Sequence, residues 1–309
     1  MTPPSILSRL VRRSIALTCA WYLVDDWRAR RRLAAGRIET RSGRRHADLE
    51  LDASIDYVER VAADYLAYAG RARFVGRLAE IGPGDSLGVA VMALARGARE
   101  VHTVDRYRTV RDATREEAIL AALAGRHGPL VASPRGVVEH GGVPAETFFA
   151  RTDLDFDWIV SRAVLEHLYD PVAALDAMRA RLAPGGVMVH RIDLRDHGMF
   201  AGHHPLTFLT VPDAIYRLMT RGAGRPNRVL LPAYRDWLAR GSAAGSIRVT
   251  RLVGIDGEVG PAPWDALDHG SRRRALAEVA AVRPRFAASL RGFSDQDLAV
   301  SGIVLVAEP

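Results

Sequence analysis

Histidines, carboxylates and glycines are the residues whose grouping in this chain could do chemistry. Five of the ten histidines, His167, His190, His197, His203 and His204, fall within one short span. Imidazole changes charge near neutral pH, so such a cluster is where a hydroxyl can lose its proton to a general base. His167, His190 and His197 are the candidate bases, and Glu166 is placed to orient a neighbouring ring. The same span offers His190, Asp193 and His197 at spacings of three and four as nitrogen and oxygen donors for a metal. Strand-to-loop geometry does not force those side chains to converge, and no metal is assigned. Imidazoles bonded to loop backbone are the plain alternative for any one of them.

A second grouping is Glu80-Ile81-Gly82-Pro83-Gly84. The apolar run Leu78 to Ile81 ends abruptly at the glycines, and Leu87, Val89, Ala90, Val91, Met92, Leu94 and Ala95 then suit a buried helix. Strand, glycine turn and helix make a cradle. Gly82 and Gly84 admit positive φ and close approach of a ligand, and the first N–H groups of the helix are expected to face it. Gly97 is the expected C-cap, and Val101 to Asp105 reads as the next strand. A carboxylate at its end, about 20 residues past the glycines, is where an α/β nucleotide fold bonds a ribose diol, so Asp105 is the expected ribose ligand. A dinucleotide fold is the competing reading, but it wants a small residue where Leu87 stands.

The acid-x-Gly-x-Gly pattern at Glu80, Gly82 and Gly84, with Asp105 after the following strand, resembles the class I S-adenosylmethionine-dependent methyltransferases. Phe156 to Pro171 resembles the fourth strand of that family and the turn after it, and Leu182 to Val189 resembles the turn into its fifth strand. The resemblance covers residues 70 to 195, and more loosely the final strand near Ser301 to Ala307. Ser86 occupies a place that many members give to a third glycine, and Pro144 stands where an adenine-side acid is often found. The resemblance implies a Rossmann-like α/β fold, a seven-stranded and mostly parallel sheet with helices on both faces. It also implies S-adenosyl-L-methionine as cofactor, with Glu80, Gly82, Gly84, Asp105, Ala145, Glu146 and Ser161 as the cofactor-side residues. The expected reaction is O-methylation of a small-molecule or sugar acceptor. Two alternatives stay beside it: a nicotinamide-dependent oxidoreductase, and a cofactor-binding fold without catalysis held at a membrane surface.

Composition narrows the classes further. A chain of 309 residues with 48% apolar side chains can build one large α/β unit with an appendage. Its net charge of +7 would suit an anionic partner, but all 43 basic residues are Arg, a bias that extends over the whole chain. Nucleic acid is therefore not the expected partner, and no oligomeric state is implied. The single cysteine, Cys19, excludes an intramolecular disulfide and a multi-cysteine metal site, consistent with a reducing cytoplasm.

Residues 1 to 70 are expected to form an N-terminal helical extension, and 71 to 309 a methyltransferase unit carrying an acceptor-shaping insert over about 193–246. The uncharged run from Ser14 to Val24 is shorter than the about 20 residues that a bilayer demands. A helix packed on the rest of the chain is the expected state of residues 1 to 36. Their Arg residues, with Trp21 and Trp27, also keep open a peripheral membrane contact, so the localisation reads as cytoplasmic or membrane-peripheral. Ser54 is the expected N-cap of the helix before the first strand and Gly70 its end. The insert reads as two helices joined by the basic turn Arg221 to Arg228.

Overall fold

The computed structural model describes residues 13–40, 45–131, 133–241 and 244–309. Seven strands form one sheet: β1 (Arg77–Ile81), β2 (Glu100–Asp105), β3 (Val137–Gly141), β4 (Phe156–Arg162), β5 (Leu182–Asp193), β6 (Ala244–Leu252) and β7 (Val300–Glu308). Their spatial order is β3-β2-β1-β4-β5-β7-β6. All neighbours run parallel except β7, which is antiparallel to both β5 and β6. The order reverses between β1 and β4, and that crevice at the strands' carboxyl ends is where open α/β sheets take ligands.

The central strands are apolar on both faces because helices cover both. Leu78, Val101, Trp158, Val189 and Val304 pack beneath α2 (Leu51–Ala69) and α3 (Gly88–Ala95), and α4 (Ala113–His127) lies beside them. Ala79, Ile159, Met188 and Ile303 face the opposite layer, which holds α5 (Ala145–Arg151), α6 (Pro171–Arg179), the insert and the C-terminal helices.

α2 begins at Leu51 with Glu50 as its N-cap, not at Ser54. Ser54 is buried inside the first turn, and its hydroxyl accepts from Arg115 of α4 at 3.2 Å, so a tertiary partner has claimed the group that would have capped. Gly70 closes α2 in the left-handed conformation, as expected.

The N-terminal helix α1 (Ile15–Ala34) docks on the insert, against α7 (Asp213–Thr220) and the turn that follows it. Its fully buried Asp26 accepts from the N–H groups of Gly222 at 2.6 Å and Ala223 at 2.9 Å, while Asp25 pairs with Arg225 at 2.7 Å. A Cβ on Gly222 would sit 2.1 Å from Cγ of Arg30, so only glycine lets α1 approach this closely. After α1 the chain pairs Glu39–Thr40 in parallel with Arg108–Thr109, which carries the N-terminal segment across the end of β2. No helix among the described residues is long and apolar enough to cross a membrane.

Candidate active site

A cleft of about 1440 Å³ opens at the carboxyl ends of β1, β2 and β4. Ile81, Gly82, Gly84 and Asp105 form its floor, Ala145 one side, and Ala163, Val164, His167 and His197 the other. Residues of α1 and of the turn after α7 wall its outer end.

The glycine turn is built by necessity. Gly82 and Gly84 both lie at φ +71°, and a Cβ on Gly82 would stand 2.5 Å from Cγ2 of Val164. The turn therefore needs glycine for its dihedral and for the side chain packed on it. The helix behind it departs from expectation. The N–H of Leu87 donates to Glu116 at 2.7 Å and that of Gly88 to the Ser86 hydroxyl at 3.0 Å, so protein groups already occupy the start of α3. Leu87 is buried, and the close helix approach expected of a third glycine belongs to Gly88, whose Cβ would meet Val58 at 2.7 Å.

Glu80 lies directly behind this turn, buried, with Oε2 lacking a hydrogen-bond partner. Burial pushes its carboxyl up to about 8, against a smaller opposing pull from Arg111. Asp105 lines the cleft, and its Oδ1 accepts from the N–H of Tyr107 at 2.9 Å. Burial raises its pKa too, with the Tyr107 N–H and Arg111 working in the other direction. A buried acceptor without a donor, two cleft-lining glycines and a cleft-facing carboxylate fit the hydroxyl and amino donors of an S-adenosylmethionine molecule. Ala145 also lines the cleft, whereas Glu146 does not and keeps Oε1 buried without a partner.

Across the cleft, the turn after β4 and the loop after β5 bring His167 and His197 together. Their rings lie edge to face with centroids 4.9 Å apart. His167 Nδ1–H donates to the Gly224 carbonyl at 2.8 Å, which fixes the tautomer and leaves Nε2 a free lone pair in the neutral ring. Burial, together with neighbouring His197, lowers His167 to about 4. His197 sits at φ +50°, a left-handed backbone uncommon outside glycine, and its Nε2 lies 3.5 Å from Asp193 Oδ2 and 3.6 Å from Glu166 Oε1. Burial raises the pKa of Glu166 well above the carboxylate range. Burial would raise Asp193 as well, yet hydrogen bonds from Arg195 and His197 hold it well below the usual value.

Two expected site residues lie elsewhere. His190 and Ser161 are opposite one another in the β4–β5 register, fully buried, with Oγ and Nδ1 hydrogen bonded at 2.8 Å. Neither lines the cleft. Burial lowers His190 to about 3, so the ring is neutral and sealed from any acceptor, which removes it from the base candidates. The basic cleft residues Arg32, Arg37, Arg106, Arg108 and Arg225 carried no motif that would have singled them out. Asn227 was also missed: its amide donates to the carbonyls of Leu165 at 2.9 Å and Leu168 at 3.0 Å, clamping the turn that carries Glu166 and His167.

Residues 54–240 match the family model described as a methyltransferase domain, and the chain belongs to the S-adenosylmethionine-dependent methyltransferases. S-adenosyl-L-methionine is the cofactor of that family. Among curated proteins no sequence matches it. Similar solved structures include phosphoethanolamine N-methyltransferase 2 of Haemonchus contortus in complex with S-adenosyl-L-methionine, at 15% identity and TM-score 0.41 over 80% of this chain and 52% of that one. This chain thus spans about half the length of the Haemonchus protein. The YcgJ protein of Bacillus subtilis is similar at 14% identity and TM-score 0.41 over 82% of this chain and 95% of that one. CalS10, an amino pentose methyltransferase of Micromonospora echinaspora, is similar at 25% identity and TM-score 0.28 over 47% and 52%. At these values none of the three bears on the acceptor of this chain.

Proposed function

We propose that the chain methylates a hydroxyl group of a small-molecule or sugar acceptor. The observation that carries this reading is the His167–His197 pair, with Glu166 and Asp193 around it, lying across one cleft from the Gly82–Gly84 turn. Gly82, Gly84, Asp105 and Ala145 would hold the cofactor, with Glu80 behind the turn. When bound, S-adenosylmethionine supplies an electrophilic methyl group on a sulfonium. The protein's share is then to orient the acceptor and receive its proton, and orientation alone is worth several powers of ten in rate. His197 Nε2 is the atom best placed to take the proton in a metal-free site, because the Asp193 carboxylate lies 3.5 Å away and faces the imidazolium that forms. Arg37, Arg106, Arg108 and Arg225 give the outer cleft a donor-rich lining suited to an acceptor with several hydroxyl or anionic groups. We assign residues 1 to 70 to an N-terminal helical extension, from which Asp25, Ala29, Arg32, Leu33 and Arg37 line the outer cleft, and 71 to 309 to the catalytic unit with its insert over about 193–246.

The test is a screen of sugars and phenolic metabolites for methyl transfer, followed by single-turnover rates. His197→Ala should lose about 10²- to 10⁴-fold in rate with S-adenosylhomocysteine affinity kept. Parental rates in His167→Ala and His197→Ala alike would remove the histidine chemistry and favour a nitrogen acceptor or proximity alone.

We further propose that the outward face of α1 rests on an anionic lipid surface. Leu17, Trp21, Val24 and Trp27 are all exposed on it, about half of each side chain's surface open, and Arg13, Arg28 and Arg31 are exposed at its two ends. Tryptophan at headgroup depth with flanking cations is the pattern of an interfacial helix. Co-sedimentation with phosphatidylserine vesicles, lost in Trp21→Asp/Trp27→Asp and absent with phosphatidylcholine, is the expected result. Failure to sediment, or a concentration-dependent dimer through the same face, overturns it.

A further inference from the structure

Glu166 is the most exacting group behind the cleft wall, beside His167. Its carboxyl is fully buried with no side-chain hydrogen-bond partner, the backbone N–H groups of Glu166 and Asp193 being the donors nearest to it. A carboxyl in such a place stays neutral unless something cationic is set beside it. Among the described residues the basic side chain within 4 Å of it is the His197 ring, whose Nε2 lies 3.6 Å from Oε1, too far for a hydrogen bond. That separation has another meaning. Two ligands bonded to one tetrahedral ion at 2.0 to 2.1 Å stand about 3.4 Å apart, so Oε1 and Nε2 are close to the edge length of a coordination polyhedron. One ligand atom each from Glu166, His167 and His197 all fall within 4.8 Å of one another.

The surroundings favour coordination as well. His167 gives its Nδ1–H to the Gly224 carbonyl at 2.8 Å, which is how metal-bound imidazoles are usually oriented from behind, and the opposite nitrogen is left with its lone pair. His197 is held in its unusual left-handed backbone between two carboxylates, Glu166 and Asp193. Asp193 is in turn fixed by Arg195, whose Nε and Nη2 donate to it at 2.8 Å and 2.6 Å. Backbone strain of this kind persists where surrounding contacts impose it. His167 and His197 both line the cleft, so an ion between them would keep positions open to water or substrate.

We propose that Glu166, His167 and His197 bind one divalent transition-metal ion at the acceptor end of the cleft. Two imidazoles and one carboxylate suit zinc, iron or cobalt better than magnesium or calcium, which prefer all-oxygen sets. The set differs from the one that spacing in the sequence suggested, because His190 is sealed inside the sheet. The binding claim stands on this geometry alone, while its catalytic meaning rests on the proposed O-methylation. With the ion in place an acceptor hydroxyl becomes a ligand and its proton leaves to cleft water in place of imidazole. The O–CH₃ bond then forms as the S–CH₃ bond breaks, and S-adenosylhomocysteine is the second product.

The experiment uses untagged full-length protein, stripped with a chelator and titrated with Zn²⁺ by calorimetry and with Co²⁺ by visible absorption. One equivalent should bind, with Co²⁺ d–d bands reporting a site of low coordination number. His167→Ala, His197→Ala and Glu166→Gln should each weaken binding at least tenfold while S-adenosylhomocysteine still binds, which shows that the variants are folded. His204→Ala, in a histidine paired with Glu278 at 2.9 Å outside the cluster, should change nothing. Absence of saturable binding, or binding that survives His197→Ala, overturns the site. Failure of the acceptor reading looks different: metal bound with one-to-one stoichiometry but no hydroxyl methylated leaves the site standing and removes the O-methylation. Methylation by metal-free enzyme at full rate leaves the O-methylation standing and removes the ion's part in it.

Discussion

Glu80 is a residue whose burial can be read from a pH profile. Its carboxyl is raised from 4.5 to about 8 in the folded chain, so the unfolded chain gives up this proton first as pH rises. Folding therefore binds a proton between those values. The contribution is fully present below about 4.5 and is lost as pH climbs toward 8. Glu80→Gln lacks the ionisation, so its melting temperature should gain on the parent between pH 5 and pH 8. A constant difference across that range would mean that Glu80 is paired in solution. Asp105→Ala should weaken S-adenosylhomocysteine binding by about 1 to 3 kcal/mol in calorimetry, the cost of stranding a ligand donor, and NAD should show no heat with either protein. Gly82→Ala faces two penalties, a positive φ and the 2.5 Å contact with Val164. Val164→Ala in the same chain should recover only part of the lost stability, because it relieves the contact and not the dihedral.

At the scale of elements, β1, the glycine turn and α3 were legible because everything that makes them is local: an apolar run, two glycines and a buried helical segment. Asp105 was legible for the same reason, as the last residue of the next strand. What failed was set by partners distant in sequence. Ser54 was read as a cap, but Arg115 of α4 takes its hydroxyl. The open N–H groups expected at the start of α3 are spent on Glu116 and Ser86. His190 reads like its neighbours in a histidine-rich stretch, and only the pairing of β4 with β5 shows that it points into the sheet opposite Ser161. Asp26 carries no mark in the sequence of its place, yet it is fully buried on the insert. Asp26→Ala leaves two backbone donors without a partner and strips Arg30 of an ion pair at 3.1 Å. Loss of about 3 kcal/mol is expected, measured by denaturant unfolding, with α1 becoming the first site of protease cleavage.

For the whole molecule, the sheet order follows from three blocks recognisable along the chain, whereas the cleft's outer wall does not, because α1 and the insert meet only through tertiary contacts. Deleting residues 1 to 36 should lower the melting temperature and leave a chain that still binds S-adenosylhomocysteine through the floor residues, though less tightly. An unchanged melting temperature would show that α1 adds nothing to the fold. The turn after α7 has a further bearing on how this enzyme works. Gly222 and Ala223 are held by α1, and Gly224, the very next residue, holds His167. The helix that faces outward and the imidazole that faces the acceptor are therefore one backbone step apart. Any event that pulls α1 off its seat, at a surface or during substrate entry, also slackens the grip that selects the tautomer of His167. Asp26→Ala should therefore reach His167 as well, read as a change in its imidazole ¹⁵N shifts, although the two residues share no contact.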